Sequence, residues 1–368
     1  MKIICKKAEL EKGVQTVLKA VPAKPTQPIL ENILIEATDS ICLTGNDLEL
    51  GITMEIDGNV AEKGEITVNA KILSDVVRRM PDDDVILETK EEKEVVIRCK
   101  KVKYNLPMQS GTEYPRIPQV EKGNRVWISE FDLKEAIRQT IFSVSNNGSN
   151  KIMTGELFEI DGKNMKIVSL DGHRIAVRNI RMEKNYTAKK VVVPGKTLAE
   201  IGKIISNDPE SMIGLLFTDN HIMFEMKKII AVSRLIEGEY FKIDSFMNME
   251  YQTKLMIDKK DLQECISRAG ILQKRDENKP VVMDIKKGSM ELKVATPLGS
   301  MDENLPIQVE GKELKIGFNP RFLLDMLRAI DDEQIDVYLN NDKMPCVVRD
   351  KESSYLYVIL PVNIRQAA

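Results

Sequence analysis

The chain has 368 residues, with 54 Lys plus Arg against 57 Asp plus Glu and a formal charge of -3. It is too long for one core, and its charge excludes a wholly basic nucleic-acid coat while leaving room for a basic face on an acidic body. Hydrophobic residues at 42% and charged residues at 30% are globular values, and aromatics at 5% make the cores aliphatic.

The start, Met1-Lys2-Ile3-Ile4-Cys5-Lys6, lacks the apolar core of a signal peptide. The longest apolar run, residues 355–362, is too short to span a bilayer. The five cysteines are far apart and form no CxxC pair, which suits a reducing compartment. A cytoplasmic protein with no membrane association is expected.

A short strand at residues 2–6 leads into a helix with Leu10 and Val14 on one face. The same unit returns at residues 125–133 and 254–262, where Leu133 and Ile137, then Leu262 and Ile266, hold the same places. Deeper in each copy, Val68-Asn69-Ala70-Lys71-Ile72-Leu73 resembles Val193-Pro194-Gly195-Lys196-Thr197-Leu198 and Phe318-Asn319-Pro320-Arg321-Phe322-Leu323, at steps of 125 residues. Each opens a helix. The apolar positions are Leu73, Val76 and Val77, then Leu198, Ile201 and Ile205, then Leu323, Leu324 and Leu327. Each helix stops in acidic residues, and alternating strands follow: 85–90 with 95–99, 215–218 with 222–226, and 335–339 with 346–349.

The chain therefore reads as α+β in three copies, each with two helices and about eight strands, sheets on one side and helices on the other. The predicted domains are 1–122, 123–250 and 251–368. A unit of this size has its own core, so three copies are not needed for stability, and the repetition suggests an arc or ring.

Basic residues repeat with the fold. Lys71, Lys196 and Arg321 align, as do Arg78, Lys203 and Arg328, each set at steps of 125. Seven residues separate the two positions within a copy, so both lie on one helix face. The first helices add Lys12, Lys19, Lys134, Arg138 and Arg268. Ordinary solvated faces would also carry such residues, but the same sign at two positions in three copies suits sequence-independent contact with duplex phosphates. Lys24, Asn146, Asn147 and Lys151 are further candidates for DNA contact.

In the middle copy, Asp171-Gly172 between alternating segments reads as a tight turn, with Gly172 at φ > 0 and Asp171 bonding its own backbone. The turn leaves His173 and Arg174 at its rim. Taken alone, this stretch is satisfied by an ordinary hairpin. With only His173 and His221 in the chain, a histidine-rich metal site is impossible. There is no P-loop, GxGxxG or HExxH motif. A triad on His173 would need Ser169 or Ser233, neither in a nucleophile elbow. A binding protein without catalytic residues, cofactor or metal is expected.

The threefold repeat, the Asp171-Gly172-His173-Arg174 turn and the ending Tyr357-Val358-Ile359-Leu360-Pro361-Val362 together resemble the β subunit of bacterial DNA polymerase III, the sliding-clamp family. Further similar segments are Lys24-Pro25-Thr26-Gln27-Pro28-Ile29-Leu30-Glu31-Asn32, Leu43-Thr44-Gly45-Asn46-Asp47-Leu48-Glu49, Ser233-Arg234-Leu235-Ile236-Glu237-Gly238 and Phe318-Asn319-Pro320-Arg321-Phe322-Leu323-Leu324-Asp325-Met326-Leu327. The resemblance covers the whole chain. It implies a head-to-tail homodimer, a six-domain ring around duplex DNA with helices on the inner face and antiparallel sheets outside. It also implies a pocket for short linear motifs of the polymerase III α subunit, the clamp loader, other polymerases and repair proteins. Carried over residue by residue, one wall is Met153, Leu170, Gly172, His173, Arg174 and Ile175, another is Phe241, Ser245 and Phe246, and Val358, Ile359, Leu360, Pro361 and Val362 close it. Phe241 stands where the family often has Pro, and Ser245 where it often has a basic residue.

For the dimer, the resemblance points to Val76, Lys101, Lys103, Tyr104 and Leu106 facing Ile271, Leu272, Asp302 and Glu303. Residues 101–106 read as an edge strand, either completed by another chain or protected by its own lysines. Beside the replication clamp stand two other readings: a clamp-fold paralogue serving repair or a mobile element, and an enzyme at the His173 turn.

Overall fold

The computed structural model describes residues 1–368 except 91–92, 119–122, 147–149, 248, 273–278 and 365–368. Its α-helices are α1 (Lys7–Val17), α2 (Ala70–Arg78), α3 (Glu130–Thr140), α4 (Gly195–Ile204), α5 (Asp244–Met247), α6 (Lys259–Ile271) and α7 (Pro320–Ala329). The chain forms two compact units, Met1–Phe131 with Lys196–Leu235, and Asp132–Gly195 with Ile236–Ala368.

The first unit is built on a 13-stranded antiparallel sheet. Strands of the first copy and four strands of the second share it, because Ile229–Arg234 pairs with Leu50–Ile56, Ala231 opposite Ile52. Helix α1 packs beside α2, with Leu10, Val14, Val17, Leu73 and Val77 fully buried. Gln15 Nε2 donates to Ser74 Oγ at 2.8 Å between the two helices. The Asn69 side chain caps α2 by accepting from the Ile72 amide at 3.1 Å, satisfying one of the orphan donors of the first turn.

The second unit holds a seven-stranded and a four-stranded sheet. Arg174–Pro194 lies between Gly155–Leu170 and Tyr355–Ile359, so the middle copy and the chain's last strand share one sheet. Helix α6 packs beside α7, whose first turn is capped by Asn319 accepting from the Arg321 amide at 3.0 Å. All five residues of Tyr355–Ile359 are buried. Leu356 and Val358 enter a cluster with Leu157, Val168, Leu170 and Tyr240, while Tyr355, Tyr357 and Ile359 enter one with Leu262, Ile266, Leu323 and Leu327. A strand between two cores has no polar face, which explains its continuous apolar run.

Three expectations need correction. The apolar run 355–362 is a strand only as far as Ile359, since Pro361 has no N–H for a ladder. The middle copy has six strands among the described residues, because Gly155–Leu170 and Arg174–Pro194 run 16 and 21 residues. Leu324 is only partly buried, at the margin of its cluster.

Candidate functional site

The Asp171-Gly172 turn forms as the sequence indicates. Asp171 Oδ1 accepts from the amides of His173 and Arg174 at 3.0 and 3.2 Å, and Gly172 has φ +89°. A Cβ on Gly172 would meet no atom within 4 Å, so only backbone conformation, not space, calls for glycine there. The register sets Leu170 opposite Ile175, and Ile175 in turn opposite Val358. The Leu360 amide, past the end of its strand, donates to the His173 carbonyl at 2.9 Å.

These elements enclose a cleft of about 260 Å³ lined by Met153, Leu170, Gly172, His173, Arg174, Ile175, Phe241, Lys242, Ile243, Phe246, Val358 and Leu360. Ten of these twelve are anticipated above. Lys242 and Ile243 are additional, and their place between Phe241 and Phe246 is the signal that could have found them. Ser245, Ile359, Pro361 and Val362 do not line it. Ile359 is buried on the opposite face of its strand from Val358, as the two-residue period requires.

Arg174 departs from its expected place at the rim. It is only 9% exposed, and its guanidinium is committed inside the protein. Nε donates to Asp171 Oδ2 at 2.8 Å, one Nη to Asp325 Oδ2 at 2.7 Å and the other to the Phe142 carbonyl at 2.6 Å. Its Cζ lies over the Phe322 ring, 4.2 Å from the centroid. Arg174 is thus a brace joining the hairpin, α7 and the segment after α3, with its charge neutralised by two carboxylates. His173 is exposed and stacks on Phe322 at 6.2 Å.

The serines that a His173 triad would need are both spent. Ser169 Oγ donates to the Thr140 carbonyl at 2.6 Å, Ser233 Oγ lies 2.7 Å from Thr197 Oγ1, and Ser169 and Ser233 are fully buried. Among the described residues, no group of three or more His, Cys, Asp or Glu could hold a metal ion, and no helix is long and apolar enough to cross a membrane.

A buried carboxyl lies close to the cleft. Glu156 follows Gly155 and the short 3-10 turn Lys151–Thr154 that carries Met153. Burial pushes it up to about 8 against the opposing effect of the Thr140 hydroxyl. Thr140 Oγ1 has one proton, and the Ala136 carbonyl at 2.7 Å can only accept it. Thr140 Oγ1 also donates to Glu156 Oε2 at 3.1 Å, so its single proton is shared between two acceptors and supports the charged carboxylate only weakly.

The repeated basic positions are all on the surface. Lys71 and Arg78 on α2, Lys196 and Lys203 on α4, and Arg321 and Arg328 on α7 are exposed, as are Lys24, Asn146 and Lys151. Asn147 lies outside the described residues. Some carry acidic neighbours: Arg78 pairs with Asp75, Lys196 with Asp47 and Lys203 with Glu200, at 2.7–2.8 Å. These pairs are exposed on the cation's side and cost little to exchange for phosphate. Arg138 and Arg268 of the first helices differ, since Arg138 is bound by Glu135, Asp331 and two carbonyls, and Arg268 by Glu303.

Among the described residues the strand Val102–Ser110 pairs along Val102–Pro107 only with Glu94–Cys99, and it reaches Gly64–Asn69 through its last three residues. Its first half, with exposed Lys103 and Tyr104, has a free edge, and Lys101 just before it is exposed. Asp302 and Glu303 lie on Gly299–Pro306, a terminal strand of the four-stranded sheet. Ile271 is 78% exposed and Leu272 is partly buried, whereas Val76 and Leu106 are each only 8% exposed.

Three family models cover nearly the whole chain: DNA polymerase III beta subunit, N-terminal domain at residues 1–118, central domain at 128–242, and C-terminal domain at 245–363. The beta sliding clamp of Staphylococcus aureus is 32% identical over 358 residues, 94% of this chain and 95% of its own. That of Bacillus subtilis is 30% identical over 377 aligned positions, 99% of this chain and 100% of its own. Among solved structures, a putative DNA polymerase III beta subunit from Eubacterium rectale matches with a TM-score of 0.95 and 50% identity, covering 99% of this chain and 100% of that one. With three consecutive domain matches over the three sequence copies, the chain belongs to the DNA polymerase III beta subunit family, the bacterial sliding clamps.

Proposed function

We propose that this chain is a non-catalytic DNA sliding clamp that encircles duplex DNA and tethers the replicative polymerase for processive synthesis. The observation that carries this is the match of three clamp domains in succession, with exposed cations at the same two helix positions in each. Diffuse cationic contact holds phosphates without reading bases, which a sliding protein needs. The domains are 1–122, 123–250 and 251–368. Two chains join head to tail, the open edge beginning at Val102 meeting the terminal strand Gly299–Pro306, with Lys101 and Lys103 near Asp302 and Glu303; pairing two edges removes unpaired backbone groups from both.

The cleft beside the Asp171-Gly172 turn is the docking site for linear motifs of the polymerase III α subunit, the clamp loader, other polymerases and repair proteins. A mostly apolar concave site with few polar groups is suited to a peptide held by a few buried anchors. The protein works in the cytoplasm. The test is primer extension on a circular template by a replicative polymerase with its loader. Adding the chain should lengthen products per binding event. Unchanged product length would count against the tethering role.

A further inference from the structure

We propose that Lys242 makes the cleft select peptides carrying an acidic side chain next to their apolar anchors. This rests on the reading of the cleft as a peptide site and adds the chemistry of its preferred occupant.

No carboxylate lines the cleft. Of its cationic side chains, Arg174 is already neutralised by Asp171 and Asp325 and has given a further donor to the Phe142 carbonyl. Lys242 is exposed at the rim, and among the described residues its ammonium has neither ion pair nor hydrogen bond. It is thus the cleft-lining cation that no carboxylate holds, in a site that is mostly apolar.

The backbone that carries Lys242 is fixed on both sides. Tyr240 is 9% exposed, its hydroxyl within 3.3 Å of the Gly155 carbonyl and 3.2 Å of the Val168 carbonyl. Ile243 is 5% exposed and packs in the cluster beneath the cleft with Leu170 and Val358. The charge therefore swings on a four-carbon stem from a fixed point. A carboxylate placed one or two residues from a buried anchor lies within reach of such a stem, and apolar walls on one side leave the pair less screened than in open water. Apolar anchors alone discriminate poorly between similar hydrophobic sequences, so a single rim charge adds specificity at small cost.

The experiment uses full-length protein and a synthetic array of hexapeptides. Each has two apolar anchors drawn from Leu, Met and Phe, with every flanking position set to Asp, Asn or Lys, and a parallel set replaces the anchors by Ser. Binding is read on wild type, Lys242→Ala and Lys242→Glu at low and high salt. Wild type should prefer the Asp peptide over its Lys counterpart by about fivefold, the upper end for a partly exposed pair. Lys242→Ala should abolish the preference, Lys242→Glu should invert it, and high salt should shrink it. Anchored peptides that bind with equal affinity whatever their charge, or a preference that survives Lys242→Glu, would overturn the proposal and leave the peptide site standing. Binding that does not depend on the apolar anchors would overturn the peptide site and the proposal together.

Discussion

Ile175 and Val358 lie directly opposite each other in antiparallel strands, so the cleft wall from the middle copy and the wall from the chain's last strand are one piece of sheet. Leu360 then leaves the strand and is tied back by its amide to the His173 carbonyl. Deleting residues 360–368 should remove the exposed wall while leaving the buried strand in place. Peptide affinity, measured by fluorescence anisotropy, should fall at least tenfold, about the loss of one buried apolar anchor contact. Circular dichroism should stay native. Unchanged affinity would place the peptide site elsewhere.

Arg174 should matter through structure. Arg174→Met leaves Asp171 Oδ2, Asp325 Oδ2 and the Phe142 carbonyl without the guanidinium donor, while Asp171 Oδ1 keeps its two backbone amides. Removing one partner from a largely buried network costs about 3 kcal/mol. Arg174→Lys should recover little, since an ammonium cannot reproduce the fork geometry. Denaturant unfolding measures this. A stability loss near zero with peptide binding abolished would make Arg174 a direct contact instead.

Glu156 predicts a pH dependence of stability. Its folded value, about 8, lies above the 4.5 of an exposed carboxyl, so the folded state holds the proton longer than the unfolded chain does. This contribution is fully present below about pH 4.5 and falls by at most about 1.4 kcal/mol per pH unit as pH rises towards 8. Beside it lies the Tyr240 phenol, raised mainly by burial and secondarily by Glu156, which stays neutral across this range. Glu156→Gln keeps an acceptor oxygen for Thr140 and cannot ionise. It should melt above wild type at pH 8 and close to it near pH 5. Equal differences at both pH values would show that Glu156 does not titrate in this range.

The helix cations should act collectively. Neutralising Lys196, Lys203, Arg321 or Arg328 singly should weaken DNA binding modestly and leave the melting temperature within about 1 °C, since exposed charges contribute little to stability. All four together should weaken binding strongly and lower the salt dependence, because fewer counterions are released. Loss confined to one position would contradict diffuse contact.

Much of this was legible in the sequence, because the repeat aligns structural and charged positions together. Leu73, Leu198 and Leu323 are buried and Lys71, Lys196 and Arg321 exposed, as a 3.6-residue period dictates. The hairpin was legible because Asp-Gly chemistry is local. Arg174 was misread because its partners, Asp325 and Phe142, are distant in sequence, so nothing near it signals burial. The sharing of sheets between copies was hidden for the same reason: pairing of Ile229–Arg234 with Leu50–Ile56 is set by edges meeting in space. The end of the last strand was readable from Pro361, but the apolar run outweighed it.

The most direct test of the clamp is topological. The chain is loaded onto nicked circular DNA by a clamp loader and ATP, unbound protein is removed by gel filtration at high salt, and the DNA is then cut once. A ring that encircles the duplex should stay with the circle and leave after linearisation, with a solution mass by light scattering of two chains. Retention on the linear DNA equal to that on the circle would contradict encirclement, and the protein would then be held by binding contacts alone.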